Sequence, residues 1–301
     1  MLLSANDVEE IGLKIMRVRL SRKNKKRLKW EFHKHFGLSP LDIAECWYQL
    51  CNFDHGLLSK AEKSEKGFKR CLGAIYWLWA RPKNVGIFAS RFDMCVDYCQ
   101  GKELWKWIGR IAGLSKKYIV WDKSIDRNDT EIFALSADGV DFPMWEIQHD
   151  KYPYDSKAMS HKFKSCGGKY IIALSTFRSQ CVFIAGPFKG GKGDLDCFKD
   201  GGLMKKLKKS GKICHVDRGF RSKSARERER FAYPDYMDSK ELHNFKSRSR
   251  LRQETYNRRL KHFQCLSETF KNGFEKHGIA LRAVAVLVQI QMNNGSPLYC
   301  V

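Results

Sequence analysis

The chain has 301 residues, of which 43% are apolar and 13% aromatic, and this composition excludes disorder over most of its length. Lysine and arginine outnumber aspartate and glutamate by 56 to 33, so a formal net charge of +23 indicates a polyanionic partner, with nucleic acid as the first candidate. A membrane is the weaker candidate, because the longest apolar stretch, residues 279–290, is about half of the roughly 20 residues that span a bilayer.

The N-terminal sequence and the cysteines predict a protein that stays inside the cell. The start MLLSANDVEE turns acidic at Asp7 and lacks a basic segment before a long apolar block, so no secretory signal is predicted. The 11 cysteines form no CxxC pair, which favours reduced thiols. The basic cluster RKNKKRLK at residues 22–29 also fits a nuclear import signal in a eukaryote, although DNA binding explains the same residues.

Residues 1–125 are predicted to form an all-helical, DNA-binding region. Residues 14–35 contain ten basic residues and one acidic residue, interrupted by apolar ones, as in an amphipathic helix. Gly37 suits the end of that helix, Ser39 the N-cap of the next helix and Pro40 its first turn. This pair fits either a helix-turn-helix on DNA or a packed helical hairpin. A second helical pair is predicted over about residues 67–79 and 103–114.

From residue 126 the sequence changes to the pattern of an α/β domain. Three runs rich in β-branched and aromatic residues, at 131–147, 169–177 and 179–187, predict strands. A helix from about Asp194 through residue 209, a strand KICHVD at 212–217 and a long helix over about 248–271 follow. Three strands, a helix, a strand and then helices is the order of an RNase H-like catalytic core. We therefore predict an RNase H-like domain at 126–301, preceded by the helical region with its helix-turn-helix-like pairs.

Two aspartates at predicted strand ends are the first candidate catalytic residues. Asp138 is expected to end the strand IFALSAD directly before a turn at Gly139. Asp217 is expected to end the strand KICHVD, also before a turn. Carboxylates that converge from separate elements suit divalent cations acting on a phosphodiester. Asp-Gly turns without any catalytic role are nevertheless common, so this pair also fits a purely structural interpretation.

Glu254 is the third candidate, because it lies among cations in the predicted helix RSRLRQETYNRRLKHF. Arg250, Arg258 and Lys261 recur at helical spacing on the same face as Glu254. This pattern fits a metal ligand surrounded by cations that hold phosphate, and it fits equally an ordinary salt-bridged face in solvent. Residues 201–262 carry 19 basic and 7 acidic residues, which favours binding to a phosphate backbone.

The segment from about residue 134 to the C-terminus, about 55% of the chain, resembles the DDE superfamily endonuclease domain of PIF/Harbinger-like and insertion-sequence-related transposases. The matching motifs are SADGVDFPMWE, SHKF at 160–163, GPFKGGKGDLDCF, HVDRGF and RSRLRQETYNRRLKHF. The intervals of 78 residues between the two aspartates and 36 residues from the second to Glu254 are similar to those of such enzymes. Val140, Phe220 and Ser247 depart from the residues usual at their positions, and none of these departures removes a carboxylate.

The resemblance implies a metal-dependent DNA endonuclease or transposase. Asp138, Asp217 and Glu254 would be catalytic and would hold two divalent cations, Mg²⁺ or Mn²⁺. The implied DNA contacts are Arg250, Arg258, Lys261, Lys162 and His161. Double-stranded DNA, as transposon ends or target, is the implied partner, and a homodimer and an accessory DNA-binding protein are further expectations. A domesticated transposase that binds DNA without cutting it stays open as the alternative.

The segment GPFKGGKG at 186–193 nearly matches a phosphate-binding P-loop. Gly193 stands where that loop needs a Ser or Thr hydroxyl, so a P-loop NTPase is a weaker, third hypothesis. Asp194 and Asp196 are expected as N-terminal acids of the next helix, with Asp194 close enough to assist the site. His215 lies two residues before Asp217 on one strand and therefore on the same face, where a structural role is favoured.

Overall fold

A computed structural model describes residues 2–19, 24–53, 57–95, 101–121, 133–145 and 155–301. Within these residues the chain is a mixed α/β protein with a six-stranded sheet. Its α-helices are α1 Ala5–Ile15, α2 Lys25–Phe36, α3 Pro40–Asn52, α4 Glu65–Ala80, α5 Val85–Arg91, α6 Lys102–Gly113, α7 Ser115–Tyr118, α8 Asp194–Asp200, α9 Leu203–Ser210, α10 Ala225–Arg228, α11 Lys240–Lys261, α12 Gln264–Ser267 and α13 Gly273–Asn293. Its strands are β1 Phe133–Pro143, β2 Met159–Ser160, β3 Ser165–Ser175, β4 Cys181–Lys189, β5 Ile213–His215 and β6 Phe231–Ala232.

The chain divides into two compact units. The first comprises Met1–Tyr118, Leu260–Glu268 and Ile279–Ser296, and the second comprises Ile119–Arg259, Thr269–Gly278 and Pro297–Val301. The first unit is helical, whereas the second contains the sheet. Among the described helices, none combines the length and the apolar character that a bilayer crossing requires.

The turn between α2 and α3 confirms the predicted helix boundaries. Gly37 has a φ of 68°, and a Cβ at this position would stand 2.1 Å from the ring of Trp79, so the turn requires glycine. Ser39 forms a capping box with Asp42 at the start of α3. The basic helix begins later than predicted, at Lys25, because the side chain of Asn24 caps it. Residues 20–23 of the predicted basic helix, which include the first two residues of the nuclear import cluster, lie outside the described residues.

The sheet has the order β2-β3-β1-β5-β6, and β4 also pairs with β3. The pairs β1/β3 and β3/β4 are antiparallel, whereas β1/β5 and β5/β6 are parallel. Helices α8 and α9 lie between β4 and β5 in the chain and supply the crossover that a parallel strand needs. Both helices contribute side chains to the core beside the sheet, in which the ring centre of Phe198 lies 5.6 Å from that of Phe220 and 5.1 Å from that of Phe231. Burial of each such ring contributes about 1.5–3 kcal/mol.

Several elements of the second half differ from their predicted bounds. The helix expected from Asp194 through residue 209 is two helices, because Gly202, with a φ of 86°, interrupts it. The long helix expected at 248–271 begins at Lys240 and ends at Lys261. Strands β2 and β6 have two residues each and were not predicted, since so short a run has no detectable periodicity. The apolar stretch at residues 279–290 lies within α13 and is largely buried.

Candidate active site

Asp138 lies within β1, where its register partner on β3 is Ile172. The prediction that a turn follows Asp138 is wrong, because β1 continues through Gly139 to Pro143. Gly139 pairs with Ile171 in the same ladder, so it is a strand residue and not a turn residue. The carboxylate of Asp138 therefore projects from the body of a strand and not from a strand end.

The register of β1 and β5 brings Asp138 and Asp217 side by side, just beyond the last paired residues of these two strands. Ser136 and His215 are partners in the parallel ladder, and the two aspartates lie two residues farther along each chain. Asp217 precedes a 3₁₀ turn, as predicted, although β5 ends two residues earlier at His215. Its Oδ1 accepts a hydrogen bond of 2.7 Å from the amide of Gly219. The two predicted aspartates are thus adjacent although 78 residues separate them in sequence.

The pKa of Asp138 is raised to about 6, mainly because the carboxyl group is buried. The positive charge of Lys162 opposes this shift, whereas the negative charges of Asp217 and Asp194 add to it. A negative charge on Asp138 is therefore costly at this place, which already contains other carboxylates.

Asp194, the first residue of α8, is the third acid that the structure brings to this place. A Cβ on Gly139 would stand 2.5 Å from Oδ1 of Asp194, and one on Gly219 would stand 3.5 Å from its Oδ2. Glycine at position 139 thus lets the carboxylate of Asp194 lie directly against β1. Lys169 Nζ lies 2.8 Å from Asp194 Oδ1 and supplies a counter-charge. Asp194 is therefore both a helix N-terminal acid, as expected, and part of the acidic site.

Helix α11 contacts the site through amide side chains that the sequence analysis missed. Asn257 Nδ2 donates a hydrogen bond of 2.8 Å to Asp138 Oδ2. Gln253, one turn earlier, accepts from Ser136 Oγ at 3.1 Å and donates to the carbonyl of Ile172 at 3.3 Å. Gln253 and Asn257 are both buried. The available sequence signal was two amides four residues apart in an otherwise cationic helix, which places both on one face.

Glu254 lies on the exposed side of α11. Its side chain is 53% exposed, and its Oε1 accepts from Arg250 Nε at 3.0 Å. Gln253 and Asn257, which lie near Glu254 on α11, face the sheet instead. Among the described residues, no group of three or more His, Cys, Asp and Glu side chains is spaced to hold a metal ion. The role of Glu254 as a third metal ligand stays a prediction.

The donor set at the site fits a hard divalent cation. Carboxylate oxygens are the ligands that Mg²⁺ prefers in proteins, and they also suit Mn²⁺. Burial, and after it the negative charges of Asp217 and Asp194, raise the pKa of Asp138, and a bound cation would offset this penalty. Asp138 and Asp217, with Asp194 beside them, are the residues best placed to hold such an ion.

The predicted DNA-binding residues lie in three places. Lys162 stands close enough to lower the pKa of Asp138, and the exposed His161 precedes it in the turn between β2 and β3. Arg250 and Arg258 are exposed on α11. Lys261 is the last residue of α11 and belongs to the first unit. The structure therefore brings Lys162 to the aspartates and leaves the two arginines on the outer side of the helix.

Two further features singled out in the sequence have structural explanations. His215 is buried and its pKa is lowered to about 4, by burial first and then by the charge of Lys246. The segment that resembles a P-loop is strand β4 as far as Lys189, so only residues 190–193 form a loop before α8. A P-loop needs a longer glycine-rich loop between strand and helix, and this geometry disfavours that hypothesis.

Comparison with known protein families identifies the class of protein. The family described as DDE superfamily endonuclease matches residues 138–289, a range that begins at Asp138 and contains Asp217 and Glu254. The chain belongs to this family. Among solved structures, one similar chain comes from the crystal structure of a pre-cleavage Mos1 transpososome, with 9% identity, 100% of each chain covered and a TM-score of 0.26, a likeness too low to support any conclusion. No curated protein matches the chain.

Proposed function

We propose that this chain is a metal-dependent DNA endonuclease of the transposase type, with divalent cations held at Asp138 and Asp217. The observation that carries the proposal is the adjacency of these two aspartates at the end of the β1/β5 pair, with Asp194 against β1. Family membership supports the same chemistry. The strand arrangement, antiparallel from β4 through β3 to β1 and parallel from β1 through β5 to β6, supports an RNase H-like topology.

The side chains of this site have distinct proposed roles. Two Mg²⁺ or Mn²⁺ ions, when bound, supply activation of the attacking water or 3′-hydroxyl and stabilisation of the departing oxygen. Asp138 and Asp217 hold the cations, and Asn257 fixes the orientation of the Asp138 carboxylate through its 2.8 Å hydrogen bond. Glu254 is proposed as the third ligand, which requires its carboxylate to leave the ion pair with Arg250 and to bind a metal ion. Strand transfer is the same reaction with a DNA 3′-hydroxyl as the nucleophile.

Double-stranded DNA is the proposed partner. Its phosphates are proposed to be contacted by Arg250, Arg258, Lys261, Lys162 and His161. The net charge of +12 over residues 201–262 supports this binding. Binding should therefore weaken steeply as the salt concentration rises. The helical region 1–125 is proposed as a further DNA-binding region, and the chain is proposed to act in the nucleus if its host is a eukaryote. A homodimer and an accessory DNA-binding protein belong to the same proposal.

Nicking of supercoiled plasmid by the full chain tests the proposal. With Mn²⁺ or Mg²⁺ the parent protein should convert the plasmid to the open circle, and chelator should stop it. Asp217→Asn should reduce nicking to background while DNA affinity stays unchanged. Asp196→Asn is the matched control, because this exposed aspartate on α8 lies two residues from Asp194. Equal nicking by the parent and Asp217→Asn would refute the assignment.

A DNA-binding protein without nuclease activity is the second candidate function. The ion pair of Glu254 with Arg250 favours it, as does the absence, among the described residues, of a ready three-ligand metal group. Such a protein would have kept the fold of a transposase for binding alone. It predicts salt-sensitive DNA binding by the parent chain and no nicking with either metal, so the plasmid experiment separates the two candidates.

A further inference from the structure

A cavity of about 620 Å³ lies in the second unit, beside the loop that connects β4 and α8. Its lining includes Ser156, Lys157, His161, Phe188, Lys189 and Lys192. This volume lies within the range of pockets that bind small organic ligands and is far larger than a phosphate ion needs. The cavity therefore has room for a ligand that carries both a phosphate and a larger apolar part.

The charges around the cavity favour an anion. Three lysines and a histidine line it, and no carboxylate is among its lining residues in the part of the chain that the structure describes. Lys189 Nζ is paired with Asp155 at 2.6 Å, and Lys192 is paired with Asp200. Lys157 forms no ion pair with the described residues, so its ammonium group is available to a ligand. A phosphate is the anion that a lysine beside a histidine suits well.

Among the described residues that line the cavity, Phe188 supplies an aromatic ring. Phe188, near the end of β4, is half-buried, and the ammonium group of Lys192 lies 5.0 Å from the centre of its ring. An aromatic ring bordered by cations is the usual surface for a nucleobase, which contributes a flat π-system next to its phosphate. The combination indicates a nucleotide as the ligand.

The cavity walls are held by close backbone packing. The amide of Gly191 donates to the carbonyl of Lys157 at 3.0 Å. A Cβ on Gly191 would stand 2.8 Å from that carbonyl oxygen, and a Cβ on Gly190 would stand 2.9 Å from the carbonyl oxygen of Ala158. Glycine at both positions is thus needed for the contact between the loop and the segment around Ala158. The cavity is formed by this contact and does not depend on long surface side chains alone.

Two contacts join the cavity to the acidic site. Lys169 Nζ donates to the carbonyl of Lys192, in the cavity wall, at 2.8 Å and lies 2.8 Å from Asp194. His161 lines the cavity, and the next residue, Lys162, acts on the pKa of Asp138. A nucleotide in the cavity would therefore lie close to a phosphodiester bound at the aspartates.

We propose that this cavity binds one unpaired nucleotide of the DNA strand next to the phosphodiester that the acidic site cuts. Its phosphate contacts Lys157 and His161, and its base lies against Phe188. The position of the phosphodiester rests on the proposed endonuclease function, whereas the binding of a nucleotide does not. DNA with an unpaired nucleotide at the cut site is consequently the preferred ligand over fully paired DNA.

Fluorescence anisotropy in chelator, where no cleavage occurs, tests this inference with the full chain. Two labelled duplexes of the same sequence are compared, one fully paired and one with a three-nucleotide single-stranded end. We expect the second to bind about tenfold more tightly, the usual size of one base–aromatic contact together with a charged phosphate contact. Phe188→Leu and Lys157→Gln should each remove most of this preference, and the leucine retains the packing of residue 188 on the core.

Matched controls are Phe177→Leu, an exposed aromatic residue outside the cavity, and Lys271→Gln, an exposed lysine between α12 and α13. Both should keep the tenfold preference. Equal affinity of the parent for the two duplexes, or a preference that survives in both cavity variants, would overturn the inference. Thermal stabilisation by free dAMP without any preference for the unpaired end would also overturn it, because the ligand would then be a free nucleotide. If the parent protein nicks plasmid but binds the two duplexes equally, this inference is wrong while the proposed endonuclease function stands.

Discussion

Asn257 on α11 donates a 2.8 Å hydrogen bond to Asp138 on β1, across 119 residues of sequence. Gln253 lies beside Asn257 and is held by Ser136 and the carbonyl of Ile172. These contacts fix α11 to the strand that carries the first aspartate. Asn257 is thus a positioning residue for the site, because it acts on the proposed chemistry through the orientation of Asp138.

Asn257→Ala should lower the metal-dependent nicking rate by about 10–100-fold, as loss of a residue that orients a metal ligand commonly does. The Mn²⁺ concentration that gives half of the maximal rate should rise as well, a change that a purely structural defect would not produce. Thr255→Ala is the control, since the Thr255 hydroxyl donates to the carbonyl of Leu251 on its own helix and, among the described residues, makes no bond to the sheet. Nicking by Asn257→Ala at the parental rate and metal requirement would exclude this role.

Gly139→Ala should disturb the acidic site without unfolding the sheet. The added methyl group would stand 2.5 Å from Asp194 Oδ1, so the carboxylate must move away from β1 and from Lys169. We expect nicking to fall at least about tenfold, because small displacements of reacting groups have effects of this size or larger. Gly109→Ala is the control, since no atom of the described residues outside its own helix backbone lies within 4 Å of a Cβ there. Unchanged nicking in Gly139→Ala would show that the position of the Asp194 carboxylate has no effect on the reaction.

Arg252 is the buried cation that ties α11 to the end of β3. It is 2% exposed and donates to the carbonyls of Ser175, Thr176 and Arg178. Arg252→Met should lower the free energy of unfolding by about 2–4 kcal/mol, because buried carbonyl groups lose their donors. Urea denaturation followed by circular dichroism measures this change. Arg258→Met, at an exposed position of the same helix, should change stability by less than about 0.5 kcal/mol. Similar losses in the two variants would contradict the assignment.

His277 makes stability depend on pH. It is fully buried, its Nδ1 lies 2.7 Å from the hydroxyl of Tyr170, and burial lowers its pKa to about 3. In the unfolded chain His277 binds a proton below about pH 6.5, whereas in the folded chain it stays neutral at this pH. The contribution of His277 to the free energy of unfolding is therefore complete above pH 6.5 and falls by about 1.4 kcal/mol per pH unit below it. The lowered pKa of His215 adds an effect of the same sign down to about pH 4.

Urea unfolding between pH 7 and pH 4.5 measures this dependence. His277→Phe should lower the slope by about 1.4 kcal/mol per pH unit below pH 6.5, whatever the variant does to stability at pH 7, because His215 and the opposing raised pKa of Asp138 act equally in both proteins. The phenyl ring suits the site, since His277 already contacts the rings of Phe142 and Phe270. A slope unchanged by His277→Phe would contradict the burial argument.

Local signals predicted the parts of the fold that depend on neighbouring residues. Gly37, Ser39 and Pro40 predicted the α2–α3 turn because caps are formed within a few residues. The turn after Asp217 was predicted for the same reason. Asp138 was misplaced because a glycine after an aspartate indicates either a turn or a close approach. The close approach at Gly139 depends on Asp194, which is distant in sequence.

The buried face of α11 shows why the rest of the site could not be predicted. Arg252, Gln253 and Asn257 would be assigned to solvent by their polarity, yet all three are buried. Their partners are carbonyl, hydroxyl and carboxyl groups of β1, β3 and the loop after β3, which come together only in the folded sheet. Burial of such groups is tolerated because each of them is paired, and periodicity in one sequence cannot reveal those pairs.

Direct measurement of bound Mn²⁺ tests the central claim, that Asp138 and Asp217 together hold divalent cations for DNA cleavage. The full chain bound to a short duplex is titrated with Mn²⁺, and the free ion is followed by electron paramagnetic resonance. We predict two tightly bound ions per chain in the parent and loss of at least one in Asp138→Asn and in Asp217→Asn, with Asp196→Asn unchanged. Parental Mn²⁺ stoichiometry and affinity in both site variants would contradict the claim.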